Sequence, residues 1–153
     1  MKVDIVERPE LRLASVRHVG SYMRVNEAFQ RLNELVTKAG LNKPDTKLIG
    51  IYHDDPTTTP EAKLRSDAAI TIPAKTKLPP GLTEMTIPAG RYAHATHVGP
   101  YTELGQVWGN LRSEWLSKSG EKQGKGMTYE VYRNTPMNAK PHELVTDLYL
   151  PLK

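Results

Sequence analysis

The sequence predicts an α+β fold: duplicated strand-strand-helix-strand-strand modules forming an antiparallel sheet with two helices on one face and a central ligand cleft. Three observations carry this. The 153-residue chain repeats itself at an offset of 79 positions. Within each repeat the hydrophobic period changes from two to 3.6 and back. One helix per four strands also cannot cover both faces of a sheet, which excludes a doubly wound parallel architecture.

"RLASVRHVGSYMRVNEAFQRL" (12–32) lies on "RYAHATHVGPYTELGQVWGNL" (91–111). Identities fall at Arg12/Arg91, Ala14/Ala93, His18/His97, Val19/Val98, Gly20/Gly99, Tyr22/Tyr101 and Leu32/Leu111. Pro9 meets Pro88, and Phe29 meets Trp108. After a one-residue adjustment Gly40 meets Gly120, Tyr52 meets Tyr132 and Pro56 meets Pro136. The chain is therefore expected to be one domain, 1–153, with internal repeats at about 2–78 and 79–153.

"VDIVER" and "LRLASVRHV" read as strands with a break at Pro9. A helix follows each HVG glycine: Val25, Ala28, Phe29, Leu32 and Val36 recur at helical spacing, as do Leu104, Val107, Trp108, Leu111 and Trp115. Ser21 and Pro100 suit helix starts, Gly40 and Gly120 helix stops. Two strands close each half, "KLIGIYHD" with "SDAAITIP" and "MTYEVYRN" with "ELVTDLYLP". The proline-rich loops 55–63 and 134–141 link them at the surface, and 74–81 joins the halves.

Composition narrows the function. The net charge of +4 comes from scattered lysines and arginines, the pattern of a solvated surface rather than of a nucleic-acid footprint. Cysteine is absent, in keeping with a reducing cytoplasm. No stretch approaches the ~20 apolar residues of a membrane span, and no signal core follows the N-terminus, so a cytoplasmic location without membrane association is expected. Zinc spacing, P-loop and dinucleotide fingerprints are missing, so no cofactor or metal is expected.

Strand periodicity nominates a site. Met127, Tyr129 and Val131 share one side of their strand, and Thr128, Glu130 and Tyr132 the other; Ile49 and Ile51 oppose Gly50 and Tyr52 in the first half. With the apolar sides against the helices, the remaining face carries the duplicated Tyr52 and Tyr132. It also carries one unduplicated charge, Glu130, where the first half has Gly50. Aromatic faces attract planar or cationic groups, and a desolvated carboxylate strengthens that attraction. A buried glutamate can also serve as a general base toward water. Tyr149, Trp108, Tyr101 and Tyr22 are further candidates for the pocket. His18 and His97, ending strands before a glycine, read as fold-forming.

"GIYHDDPTTTPEAKLRSDAAITIP", the "HVGPY" turn and "YEVYRN" resemble the GyrI-like, or AraC effector-binding, domain family, over essentially the whole chain. The resemblance implies two modules related by pseudo-twofold symmetry around a ligand cleft. It places the family's strand glutamate on Glu130 and the tyrosine that follows it on Tyr132. Such domains occur as drug-sensing parts of transcription activators and as stand-alone proteins, including inhibitors of DNA gyrase. Sensor members take bulky, often cationic, aromatic compounds, and some stand-alone members are implicated in hydrolysing cyclopropane-bearing genotoxic compounds through the same glutamate. Because the two repeats fill the chain, no helix-turn-helix segment and no direct DNA binding are expected. Three functions follow: a small-molecule-binding module for sensing, sequestration or toxin resistance, a hydrolase with Glu130 as general base, and a gyrase-binding inhibitor.

Overall fold

The computed structural model describes residues 1–153. In chain order its elements are β1 (Asp4–Arg8), β2 (Leu11–Val19), α1 (Asn26–Ala39), β3 (Leu48–Tyr52), β4 (Arg65–Thr71), β5 (Thr83–Ile87), β6 (Gly90–Val98), α2 (Leu104–Asn110), β7 (Thr128–Tyr132) and β8 (Val145–Pro151). The α+β class and the predicted order of strands and helices are both present. No helix is long and apolar enough to cross a membrane.

The chain divides into an N-terminal unit, Glu10–Ile87, and a C-terminal unit formed by Met1–Pro9 and Pro88–Lys153. In the N-terminal unit the strands run in the order β5-β2-β4-β3, and in the C-terminal unit β1-β6-β8-β7, every pair antiparallel. The first strand of each repeat thus completes the unit of the other repeat. Proline supplies the reason. Only Pro9 and Glu10 separate β1 from β2, and only Pro88 and Ala89 separate β5 from β6. The favoured two-residue hairpin turns need positive φ at their first central residue, whereas proline holds φ near about −65°. Neither strand can fold straight back on its successor, so each runs on to a different partner.

Both HVG glycines end the long strand of their unit in a conformation open to glycine. Gly20 has φ +124° and Gly99 φ +145°. Their N–H groups donate to the carbonyls of Leu64 (2.7 Å) and Leu144 (2.8 Å), tying these turns to the starts of β4 and β8. Ser21 Oγ then accepts from the Met23 N–H and caps the short helical turn Tyr22–Arg24 that leads into α1. Helix α1 buries Ala28, Leu32 and Val36 and stops at Gly40, which is left-handed at φ +65°.

The second helix is not a copy of the first. After α2 the backbone widens into a π-helical turn over Leu111–Leu116, and a last helical turn, Ser117–Ser119, reaches Gly120 at φ +79°. The repeat offset changes from 79 to 80 between the Leu32/Leu111 and Gly40/Gly120 pairs. The π turn therefore houses the one extra residue of the second half.

The faces of the strands correct the sequence reading. Residues paired across antiparallel strands point to the same side. Glu130 pairs with Leu148 and Gly50 with Ala68, and both partners belong to the cores packed under the helices. Glu130, Tyr132, Gly50 and Tyr52 thus share the helix-covered side, whereas Tyr129, Val131, Ile49 and Ile51 take the opposite one. That opposite side is buried as well: Tyr129, Ile49 and Ile51 are each 0% exposed. With apolar residues inside on both faces, hydrophobicity could not say which face meets a helix.

Candidate ligand site

Four of the nominated residues converge in the C-terminal unit. Strand β7 presents Glu130 and Tyr132 on its helix side, α2 lowers Trp108 from above, and the turn before α2 supplies Tyr101. Glu130 is 3% exposed. Trp108 Nε1–H donates to its Oε2 at 2.6 Å, and the Tyr132 hydroxyl donates to its Oε1 at 2.7 Å. These two short bonds orient the Glu130 side chain and give each of its buried oxygens a partner. The Tyr101 and Tyr132 rings meet edge to face, centroids 5.5 Å apart. Burial, and then the nearby Glu130 charge, push the Tyr101 hydroxyl above the ordinary tyrosine range. The Arg112 guanidinium lies 5.2 Å from the centre of the Trp108 ring, so the indole already faces a cation.

Tyr22 and Tyr52 form the matching pair of the N-terminal unit, also edge to face, at 5.0 Å. Tyr22 Oη donates to the Asp54 carbonyl (2.8 Å) and accepts from the Asp54 N–H (3.0 Å), which pins the loop after β3. Gly50 provides no carboxylate here.

Tyr149 does not join Glu130. It stands on the opposite face of β8, stacked on Tyr129 (4.8 Å) and on His94 (4.9 Å), with the Arg8 guanidinium 4.5 Å from its ring centre. Tyr92 stands edge-on to both tyrosines, and burial pushes its hydroxyl up to about 12. Beside this stack Asp147, 5% exposed, receives Arg133 Nε (2.6 Å), Thr96 Oγ1 (2.8 Å) and His94 Nε2 (2.8 Å). Asp67 is the counterpart in the N-terminal unit, held by Arg17 Nε (2.7 Å) and His53 Nε2 (2.5 Å). Each aspartate is a knot of its unit, satisfied by an arginine and a histidine. No cluster of three or more His, Cys, Asp or Glu side chains is gathered so as to hold a metal ion.

Two residues at this site escaped the sequence reading. Arg112 faces the Trp108 ring, and its place four residues further along the helix was a usable signal. Thr146 is paired with Tyr132 across β7 and β8. Its register depends on strand pairing, which a local pattern does not show.

The fold is thus a duplicated antiparallel α+β arrangement with a carboxylate buried between an indole and a phenol under one helix. Residues 1–153 match the GyrI-like small molecule binding domain, and the chain belongs to that family. A DNA gyrase inhibitor of Yersinia enterocolitica is 33% identical over 140 residues, covering 88% of this chain and 87% of that protein. The crystal structure of the EcmrR C-terminal domain superposes with a TM-score of 0.84 at 21% identity, over 99% of this chain and 97% of that one. The structure of SAV2435 bound to tetraphenylphosphonium superposes at 0.65 and 14% identity, over 100% and 99%. At such identities the two structures establish a shared fold.

Proposed function

We propose that this domain binds bulky aromatic cations at Glu130, with Trp108, Tyr132 and Tyr101 as the aromatic surround, in sensing, sequestration or toxin resistance. The observation that carries the reading is the buried carboxylate whose two oxygens are oriented by an indole and a phenol. A carboxylate kept ionised inside a protein is an expensive feature with little stabilising return. It is well suited to a cation that arrives with its own apolar surface and is desolvated on the same aromatic walls. The tetraphenylphosphonium bound to SAV2435 supplies the probe. Calorimetric titration with tetraphenylphosphonium should show saturable binding to the wild type and at least a tenfold loss in Glu130→Gln, which keeps the shape and removes the charge. Equal affinity in the two proteins would overturn the reading. Tyr22→Ala and Tyr52→Ala report whether the equivalent tyrosine pair takes part.

A second reading, a protein that acts on gyrase, draws on the name of the Yersinia relative. It does not require Glu130, so a gyrase supercoiling assay with wild type and Glu130→Gln separates the two. Inhibition that is equal in both proteins would favour the gyrase reading. Mass spectrometry of the recovered compound decides whether Glu130 also directs hydrolysis.

A further inference from the structure

Ser66 and Thr146 are both 0% exposed, and the hydroxyl oxygen of each lacks a hydrogen-bond partner. They occupy equivalent places in the repeat, separated by the same 80 positions as Tyr52 and Tyr132. Strand register puts each in the middle of the same three-residue row: His18, Ser66 and Tyr52 in one unit, and His97, Thr146 and Tyr132 in the other. A buried hydroxyl without a partner is destabilising, and valine would fill the Thr146 position with the same volume. Packing therefore does not account for the oxygen. In the N-terminal unit the residue one row further along β3 is Gly50; in the C-terminal unit it is Glu130. Only Thr146 sets an unused hydroxyl diagonally across from a carboxylate, on the same helix-covered face and opposite the tyrosine bonded to that carboxylate.

We propose that Thr146 Oγ1 is a specificity-determining contact of the Glu130 site, donating a hydrogen bond to a neutral acceptor on the ligand. This rests on the binding reading above and narrows its ligand class. The preferred compound is an aromatic cation that carries a carbonyl, ether or ring nitrogen about 7–8 Å from the group facing Glu130, the diagonal spacing of Thr146 and Glu130 across the two strands. Tyr132 and Thr146 then divide the work: the phenol holds the carboxylate, and the threonine reads the polar substituent.

The test uses two near-isosteric probes, (4-acetylphenyl)triphenylphosphonium and (4-isopropylphenyl)triphenylphosphonium, titrated into wild type and Thr146→Val. A net hydrogen bond corresponds to roughly a 2- to 12-fold change in affinity. The wild type should prefer the acetyl probe by a factor in that range. Thr146→Val should bind the isopropyl probe within twofold of wild type and lose the acetyl preference. In the absence of ligand, Thr146→Val should melt at the same temperature as wild type or higher, because an unused buried hydroxyl has been removed. A wild type that binds both probes equally, or a Thr146→Val that keeps the preference, overturns this inference and leaves the binding reading intact. A ligand-free Thr146→Val that melts clearly lower also overturns it, since the hydroxyl would then serve the fold. Failure of the wild type to bind either probe removes the binding reading itself, and this inference with it.

Discussion

Trp108 and Tyr132 each place one hydrogen on a different oxygen of Glu130, so either bond can be removed with the other left in place. Trp108→Phe and Tyr132→Phe keep an aromatic ring and delete only the donor. An acceptor left short of a partner in the interior is destabilising by about 1–3 kcal/mol. Each variant should lower the urea midpoint accordingly, and the pair should be non-additive because both act through one carboxylate. Unchanged midpoints would mean that solvent replaces these donors in the ligand-free protein. Asp147 behaves differently with pH. Burial raises its carboxyl, but the hydrogen bonds from Arg133, His94 and Thr96 together outweigh it and hold the group below its ordinary value of 3.8. A carboxyl whose folded pKa is depressed contributes stability above its unfolded pKa and loses it as the pH falls through the folded value. Urea midpoints should therefore fall as the pH drops below about 4. Arg133→Met removes the largest favourable partner and should flatten that acid slope.

At the scale of elements, the helices and most strands were legible because their periods, caps and glycines act locally. The HVG turns, the left-handed stops at Gly40 and Gly120, and the helix faces under Leu32 and Leu111 all follow from short-range pattern. The facing of β3 and β7 was not legible: both sides of these strands are buried, and it takes the pairing of Gly50 with Ala68 and of Glu130 with Leu148, both core residues under a helix, to show which side meets a helix. The π turn was visible only as a shift in the repeat offset, which located an extra residue without saying how the backbone absorbs it. The turn lets Trp115 and Leu116 both pack, partly buried, against the core that contains Leu111 and Leu148. Deleting Ser113 should restore the spacing of α1, put Leu116 in the place of Val36, and turn Trp115 by about 100°, one residue of helical rotation, into the place of Leu35 at the partly buried edge of the helix face. In a Trp108→Phe background the emission of Trp115 should shift to the red while the protein stays folded. An unshifted emission would show that the π turn does not set the direction of Trp115.

At the scale of the molecule, Pro9 and Pro88 bear on which unit each leading strand joins. The pattern of residues 4–8 announces a strand, but its partner is set by the turn that the proline forbids. Strand β1 pairs with β6 from Asp4↔His94 to Arg8↔Gly90. Through Arg8 it also reaches the tyrosine stack, with Nε 3.3 Å from Tyr129 Oη and the guanidinium over Tyr149. None of its strand pairing is to β2, its neighbour in sequence. Removing residues 2–9 should therefore open the C-terminal unit selectively. Amide hydrogen exchange should quicken along β6, and Trp108 emission should report a loosened unit, while β2 and β4, whose register Leu13↔Thr71 to Val19↔Arg65 lies wholly within the N-terminal unit, keep their protection. Loss of protection confined to β2 would mean that β1 supports its own repeat after all. Loss across both units at once would mean that they unfold as a single cooperative body, with β1 holding a stability that the strand pairing alone does not assign to it.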